Sequence, residues 1–501
     1  MDMLGFKIEE DKDYSEVTSY AGLLPYLDLW RRLGMPGIID KMVRICGEQG
    51  WLDRVMVLAV VLLNLAGGNC VTDIDKLEAD GGLCRMFSRC QYSGMGRAAV
   101  KAAQSRFRGG KTRTFPAPTQ LFAFLERCHN ASEEQKRVVG KAFIPKPNEE
   151  LASLINLNTH LIEQAQQLRP CKTATLDCDA TLVESQTRNA LMCYKGFKGF
   201  QPYNVYWAEH DLVAHSEFRD GNVPAGYDIL RVIQQAVSML PDGVETVYMR
   251  QDTAAYNNEF MAWCERAYEH PKYGRILFTI SADITPQFRA EVAKVPEDQW
   301  TTLNRRRDGK PRQEWAEVIY VSNAQATLTG VDQAFRFIAI RERLNDQLTL
   351  LDVDDRPFPV IDMNNMRYKL HAIATNRYDE PAEELIHWHY QRCGKSEEAH
   401  SIMKSDFAGG QLPSGKFGAN AAWWAIMILA MNFQSIMRQF VLGDNWSKKR
   451  MKATRFELIV SPGRIVHHAR QMFMRVNKRL EDWLFRIVDA LDRLGLDAAP
   501  S

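Results

Sequence analysis

Apolar positions recur with a helical period through Leu24–Leu33, Leu52–Leu65, Leu121–Leu125 and Glu149–Leu168, so residues 1–168 are predicted to be all-helical. Pro116 and Pro118, followed by Thr119, mark a helix start after the glycine-rich FRGGKTRTF loop. A short helix after a basic turn is compatible with a helix-turn-helix-like DNA reader. At Thr173 the period drops to two. TATLDCDATL puts Ala174, Leu176, Cys178, Ala180 and Leu182 on one side and Thr173, Thr175, Asp177, Asp179 and Thr181 on the other. That pattern predicts a half-buried strand with both aspartates on its polar face.

Further strands are predicted at about 204–207 and 212–215, a helix near 227–239, and a strand over VETVYMRQD that ends at Asp252. A helix from about 258 to 268 and the strand RILFTI follow. Strands alternating with helices give an α/β sheet, at least partly parallel. From about 282 to 366 the rhythm breaks: WAEVIYVSN, FRFIAIRER and LTLLDVD are strand-like with no long helical pattern between them. This stretch is predicted to be a β-rich insertion. The α/β texture returns with LHAIATN and a helix from near Glu380. GGQLPSGKFG then links to a final helical set, giving regions 1–168, 169–440 (with 282–366 inserted) and a basic helical 441–501.

Composition narrows the class. The 501 residues, 46% hydrophobic and 25% charged, are those of a multi-domain globular protein. Ten cysteines with no CxxC pair suit free thiols in a reducing cytosol, and MDMLGFKIEEDKDYSE does not read as a signal peptide. The apolar runs Val55–Ala66 and Ala421–Phe433 fall short of the roughly 18–20 residues of a membrane span and read as core helices. A net charge of +1 conceals two basic regions. Gly81–Leu125 carries eight Lys/Arg, including Arg97, Lys101, Arg106, Arg108, Lys111 and Arg113, and no acid. From Gln411 onward 14 basic residues face seven acidic ones, with a KKRMK cluster at Lys448–Lys452. Either patch alone reads equally well as a solvated face; together they lean towards a nucleic-acid partner.

Asp179 and Asp252 each end a predicted strand, where ligands gather in α/β sheets. With a third carboxylate they form an oxygen-only donor set for a hard cation, and two such ions about 3.5–4 Å apart can clamp a phosphodiester displacement. In YQRCGKSEEAHSIMK, Tyr390, Glu397 and Lys404 recur every seven residues, so on one helix they share a face, with Glu398 some 100° away. The spacing equally allows Glu397 and Glu398 to be surface acids paired with Lys395 and Lys404. GGKT at Gly109–Thr112 lacks the first glycine of a P-loop, since residue 105 is serine, so no ATP site is predicted.

D-A-T on a first strand, M-R-Q-D on a later one and a helical Y-x6-E-x6-K resemble the DDE transposases of bacterial insertion sequences with an RNase H-like core and a tyrosine-arginine-glutamate-lysine signature. RCGKSEEAHSIMKSDFAGG, FGANAAWWAIMILAMN and the upstream YKGFKGFQPY resemble the insertion-sequence-1380 family in particular. The resemblance covers about 173–433. It implies Asp179, Asp252 and Glu397 as catalytic ligands of two Mg²⁺ (or Mn²⁺) ions, with Tyr390 and Lys404 on DNA phosphates. The signature arginine falls where this chain has Cys393, and Arg392 stands one place early, leaving its role open. Asp177 shares the strand face of Asp179, and the D-x-T pattern favours Asp179. The 145-residue gap between Asp252 and Glu397 fits a β-rich insertion between the second and third acids. The resemblance further implies double-stranded DNA partners (terminal inverted repeats and target), a homodimer or larger synaptic complex, and cytoplasmic, nucleoid-associated action without a membrane. Trp300, inside the insertion, is a candidate to stack a base displaced beside the cut, and equally a core residue. A nuclease without strand transfer and an inactive DNA-binding protein are the rival readings.

Overall fold

The computed structural model describes residues 16–107, 109–321, 330–331, 334–344, 358–364, 366–469 and 471–496, with the backbone of two short strands at Asp2–Met3 and Phe6–Lys7. The predicted strand LTLLDVD and Arg108 lie outside the described residues.

A ten-stranded mixed sheet organises the chain. Its strands are β1 (Thr173–Ala180), β2 (Tyr203–Trp207), β3 (Leu212–Glu217), β4 (Thr246–Gln251) and β5 (Leu277–Ser281). They continue with β6 (Thr301–Arg305), β7 (Pro311–Val318), β8 (Arg336–Arg343), β9 (Val360–Met363) and β10 (Met366–Thr375). The order is β6-β7-β8-β10-β5-β4-β1-β2-β3, with β9 also on β10. Only β1, β4 and β5 run parallel to their neighbours within that order; the other pairings are antiparallel. Parallel pairing needs long crossovers. The helices Ile229–Ser238 and Asn258–Glu265 supply them, before β4 and before β5.

The predicted polar face of β1 is not solvated. Thr175 and Asp177 are buried along with Ala174, Leu176 and Cys178. A central strand is covered on both faces, so its polar residues must find partners inside the protein. The stretch 282–366 does not form a sheet of its own: β6, β7 and β8 extend the same sheet beyond β5 through β10. It also holds a helix, Pro286–Ala293, whose capping Thr285 Oγ1 accepts from Phe288 N at 3.1 Å.

The apolar run at Ala421–Phe433 is the middle of a longer helix, Phe417–Ile436, buried along nearly its whole length. Phe417–Leu442 is long and apolar enough to cross a membrane, but 72% of its most apolar window is buried inside the protein. Among its buried polar residues, Asn432 has a structural task. Asn432 Oδ1 accepts from Val213 N at 2.8 Å, and Nδ2 donates to Val213 O at 2.8 Å and Asn158 Oδ1 at 2.6 Å. The side chain thereby satisfies edge strand β3 and ties in the Glu149–Leu168 helix.

The ends of the chain depart from the all-helical expectation. Gly463–His468 and Gln471–Arg475 form a hairpin, and Val17–Thr18 adds a third strand. Gly463 and Ile465 are buried while Arg464 between them is exposed, which is strand alternation within a basic segment. A lone two-stranded ribbon is marginal in water, and the N-terminal strand completes it.

Candidate active site

β1 and β4 are parallel neighbours in a register that sets Arg250 beside Asp177. Continued two residues, it sets Asp252 beside Asp179 at the C-terminal edge of the sheet. The two aspartates of β1 are in different situations. Asp177 is fully buried in a two-pronged ion pair with Arg250, Oδ1–Nε 2.5 Å and Oδ2–Nη2 2.7 Å. Arg250 Nη1 also donates to Trp388 O at 3.1 Å and Gln391 Oε1 at 3.3 Å, tying two strands to the turn that carries Arg392. Asp179, a quarter exposed, faces Arg392 Nη1 at 3.7 Å and His400 Nδ1 at 4.0 Å. Asp252 caps the short turn after β4, accepting from Ala254 N at 3.1 Å.

The predicted shared face of Tyr390, Glu397 and Lys404 is broken. One helix, Ala382–Tyr390, ends at the tyrosine and a second, Lys395–Ser405, carries the other two. Gly394 between them has φ +85°, a conformation that breaks the helical period and favours glycine. Tyr390 packs against β8 and β10, its ring 6.0 Å from that of His371, and burial pushes its phenol up to about 12. Lys404 Nζ donates to Leu182 O at 3.3 Å, just beyond β1; burial and then Lys195 hold its ammonium below the usual range. Glu397 is exposed, and its Oε2 accepts from Gly394 N at 3.0 Å, capping its own helix.

The acids repel one another. Burial, then the charge of Asp252, push Asp179 up to about 6; Arg392 opposes this and Glu397 adds to it. Burial also raises Asp252, again opposed by Arg392. His400 is held down to about 4 by burial, then by Lys404 and Arg392, so it is neutral at physiological pH. Desolvated, mutually repelling carboxylates are the donor chemistry a hard divalent cation relieves, and on that ground Asp179 and Asp252 fit one. Among the described residues no three His, Cys, Asp or Glu side chains close on one metal position. Glu397, turned to its own helix end, is the acid left outside.

Several predicted DNA contacts are committed elsewhere. Arg106 donates to Gly50 O at 2.9 Å and Trp51 O at 3.2 Å. Lys111 donates to Gln91 Oε1 at 2.8 Å and lies 4.5 Å over the Trp51 ring, and burial pulls it down to about 8. Arg113 pairs with Asp75 at 2.6 Å. Arg97 and Lys101 remain exposed on the Arg97–Ser105 helix. The Pro118–Glu126 helix carries no cation and buries Leu121, Phe124 and Leu125, leaving Thr119 and Gln120 exposed. Trp300 is 8% exposed with the Arg341 guanidinium 4.2 Å over its ring, which makes it a packed residue and not an open stacking platform. His400 and Arg250 were missed as neighbours of the acids; only the M-R-Q-D context marked the arginine.

Asp179 and Asp252, at the ends of adjacent parallel strands, place the molecule among α/β proteins with a pair of carboxylates at a sheet edge. The chain matches the family Transposase DDE domain group 1 over residues 3–495 and belongs to it. It is a transposase-family protein. No curated protein matches it. Among solved structures it is similar to the piggyBac transposase synaptic complex with hairpin DNA, at 9% identity and a TM-score of 0.40, over 95% of this chain and 81% of that one.

Proposed function

We propose that the protein binds the terminal inverted repeats of its own insertion sequence, cuts there, and joins the 3′ ends to target DNA. The observation that carries the reading is the pair Asp179 and Asp252 at adjacent parallel strand ends, with Arg392 3.7 Å from Asp179. The order β3-β2-β1-β4-β5, with β1 parallel to β4 and antiparallel to β2, supports an RNase H-like core. The extension β6–β9 lies in sequence between the second and third acids, as the insertion-sequence-1380-like reading requires.

Asp179 and Asp252, joined by Glu397 once its carboxylate leaves Gly394 N, would hold two Mg²⁺ or Mn²⁺ ions, which would supply Lewis-acid activation for the phosphodiester chemistry. The chain's own residues position the DNA. Arg392 balances the charge of Asp179 and Asp252 and donates to an incoming phosphate. Lys404, anchored beside Leu182, offers an ammonium at the same strand end. His400, neutral, adds no competing positive charge beside the cations. Arg97 and Lys101 grip phosphates away from the cut, and pre-organised charge and orientation supply the rate. Two ends are joined in one event, so a homodimer or larger complex acts, in the bacterial cytoplasm with the nucleoid. Purified protein with Mg²⁺ and a labelled element end tests this: nicking and joining support it. Cutting without joining leaves only the nuclease, and tight binding without cutting leaves an inactive binder.

A further inference from the structure

The two adjacent glutamates face different places. Glu397 acts on Asp179, whereas Glu398 lines a separate cavity of 330 Å³ behind the same helix. Its walls are the β2–β3 hairpin, the Lys395–Ser405 helix, the Phe417–Ile436 helix with its continuation, and the segment Ser447–Met451. Five cations line it, Lys395, Arg438, Lys448, Lys449 and Arg450, against the two carboxylates Asp211 and Glu398. Three of the cations are engaged. Arg438 pairs with Asp211, itself at φ +53° and also bonded by the Tyr206 hydroxyl. Lys449 pairs with Glu457 at 2.5 Å and Arg450 with Asp406 at 2.9 Å. Lys395 and Lys448 are exposed and hold no ion pair among the described residues. Arg438 Nε is buried with no acceptor.

We propose that this cavity holds a phosphodiester group of bound DNA between Lys395, Lys448 and Arg438. The inference rests on the reading of the protein as a DNA-cutting transposase and adds a contact to it. A surplus of positive charge in a walled recess selects a compact anion, and two unpaired ammonium groups beside the part-buried Arg438 guanidinium, held by Asp211, match phosphate oxygens. The position has a consequence for chemistry. Lys395 is the first residue of the helix whose third residue is Glu397. A phosphate held by Lys395 therefore pins the first turn that carries the third acid, on the side opposite Asp179. Glu398 opposes the anion, and its removal strengthens binding.

The test measures affinity of the full-length protein for a labelled element-end duplex without metal, over a salt series. Lys395→Ala/Lys448→Ala is expected to flatten the dependence of log K on log salt by about one unit per lost contact. Glu398→Gln is expected to tighten binding, a sign that a merely structural residue does not give. Both variants are checked for unchanged thermal unfolding, and inorganic phosphate is added to the wild type separately. Unchanged slope in the double variant together with unchanged affinity in Glu398→Gln overturns the proposal. So does protection of the wild type by inorganic phosphate, lost in the double variant, with DNA binding unaltered, because the cavity then takes a free anion. A wild type that cuts DNA with Mg²⁺ while the variants bind normally removes this inference alone. A wild type that neither binds nor cuts removes the transposition reading with it.

Discussion

Asp177 and Asp179 stand two residues apart on one strand, yet their amides should move stability in opposite directions. Asp177→Asn leaves the Arg250 guanidinium, only 2% exposed, without its counter-charge. Removing one partner of a buried pair costs about 3–5 kcal/mol. Asp179→Asn removes a charge the folded protein resists. Its carboxyl is raised from 3.8 to about 6, roughly two units at 1.36 kcal/mol each, or about 3 kcal/mol. Between those values the folded state binds more protons than the unfolded one, so metal-free stability falls as pH rises through that window. The penalty is complete above it. Urea unfolding in a chelator at neutral pH should therefore show Asp177→Asn strongly destabilised and Asp179→Asn stabilised by up to about 3 kcal/mol. The second gap should close below about pH 4, where both states are protonated. Added Mg²⁺ should stabilise the wild type and not Asp179→Asn. A stable Asp177→Asn beside a destabilised Asp179→Asn would refute the assignment of the buried pair and of the open acid.

Trp300→Ala should cost about 3–5 kcal/mol, as for other buried aromatic truncations, and lower both cutting steps together. Loss of second-strand processing alone in a fully folded variant would restore the base-stacking role. Burial holds His210, His215, His371 and His400 down at about 4, so the unfolded state takes up protons the folded state refuses as pH falls from 6.5. The raised Asp179, Asp211 and Asp220 pull the other way below about pH 6, so the histidine share is read by difference: His215→Leu, whose ring nitrogens are both buried without partners, should gain on the wild type as pH falls. A stability difference between His215→Leu and the wild type that does not change between pH 7 and 5 would contradict this. Arg97→Ala/Lys101→Ala should flatten the salt dependence of end binding by about one unit per contact, and Arg113→Ala should lower stability instead. The reverse outcome would exchange the roles of these cations.

The centre of the fold was legible because its signals are local. The alternation in TATLDCDATL marked β1, and the texture change near 282 marked where the sheet leaves its α/β rhythm. What was not legible depended on pairing at a distance. Whether β6–β8 build their own sheet or extend another is decided by β10 lying against β5, which no local pattern states. The hairpin at 463–475 was hidden by its short alternation and by a partner strand over 400 residues away. At the site, the seven-residue recurrence of Tyr390, Glu397 and Lys404 spans a helix break, because one glycine at positive φ resets the period. The D-x-T pattern favoured Asp179 over Asp177, but the strand's alternation did not, because the physical difference is Arg250 reaching across from β4 to Asp177. Basic residues in a loop read alike whether they face solvent or staple carbonyls. Arg106 and Lys111 took the second course.

The central claim is that one carboxylate centre built from Asp179, Asp252 and Glu397 cuts DNA. It is tested most directly by Asp252→Asn and Glu397→Gln, each incubated with a labelled element end and Mg²⁺ alongside the wild type and Glu398→Gln. The account predicts nicking by the wild type and by Glu398→Gln, and none by the other two, with end binding nearly equal in the wild type, Asp252→Asn and Glu397→Gln. Cutting that persists in Asp252→Asn or Glu397→Gln, or that disappears only in Glu398→Gln, would contradict it.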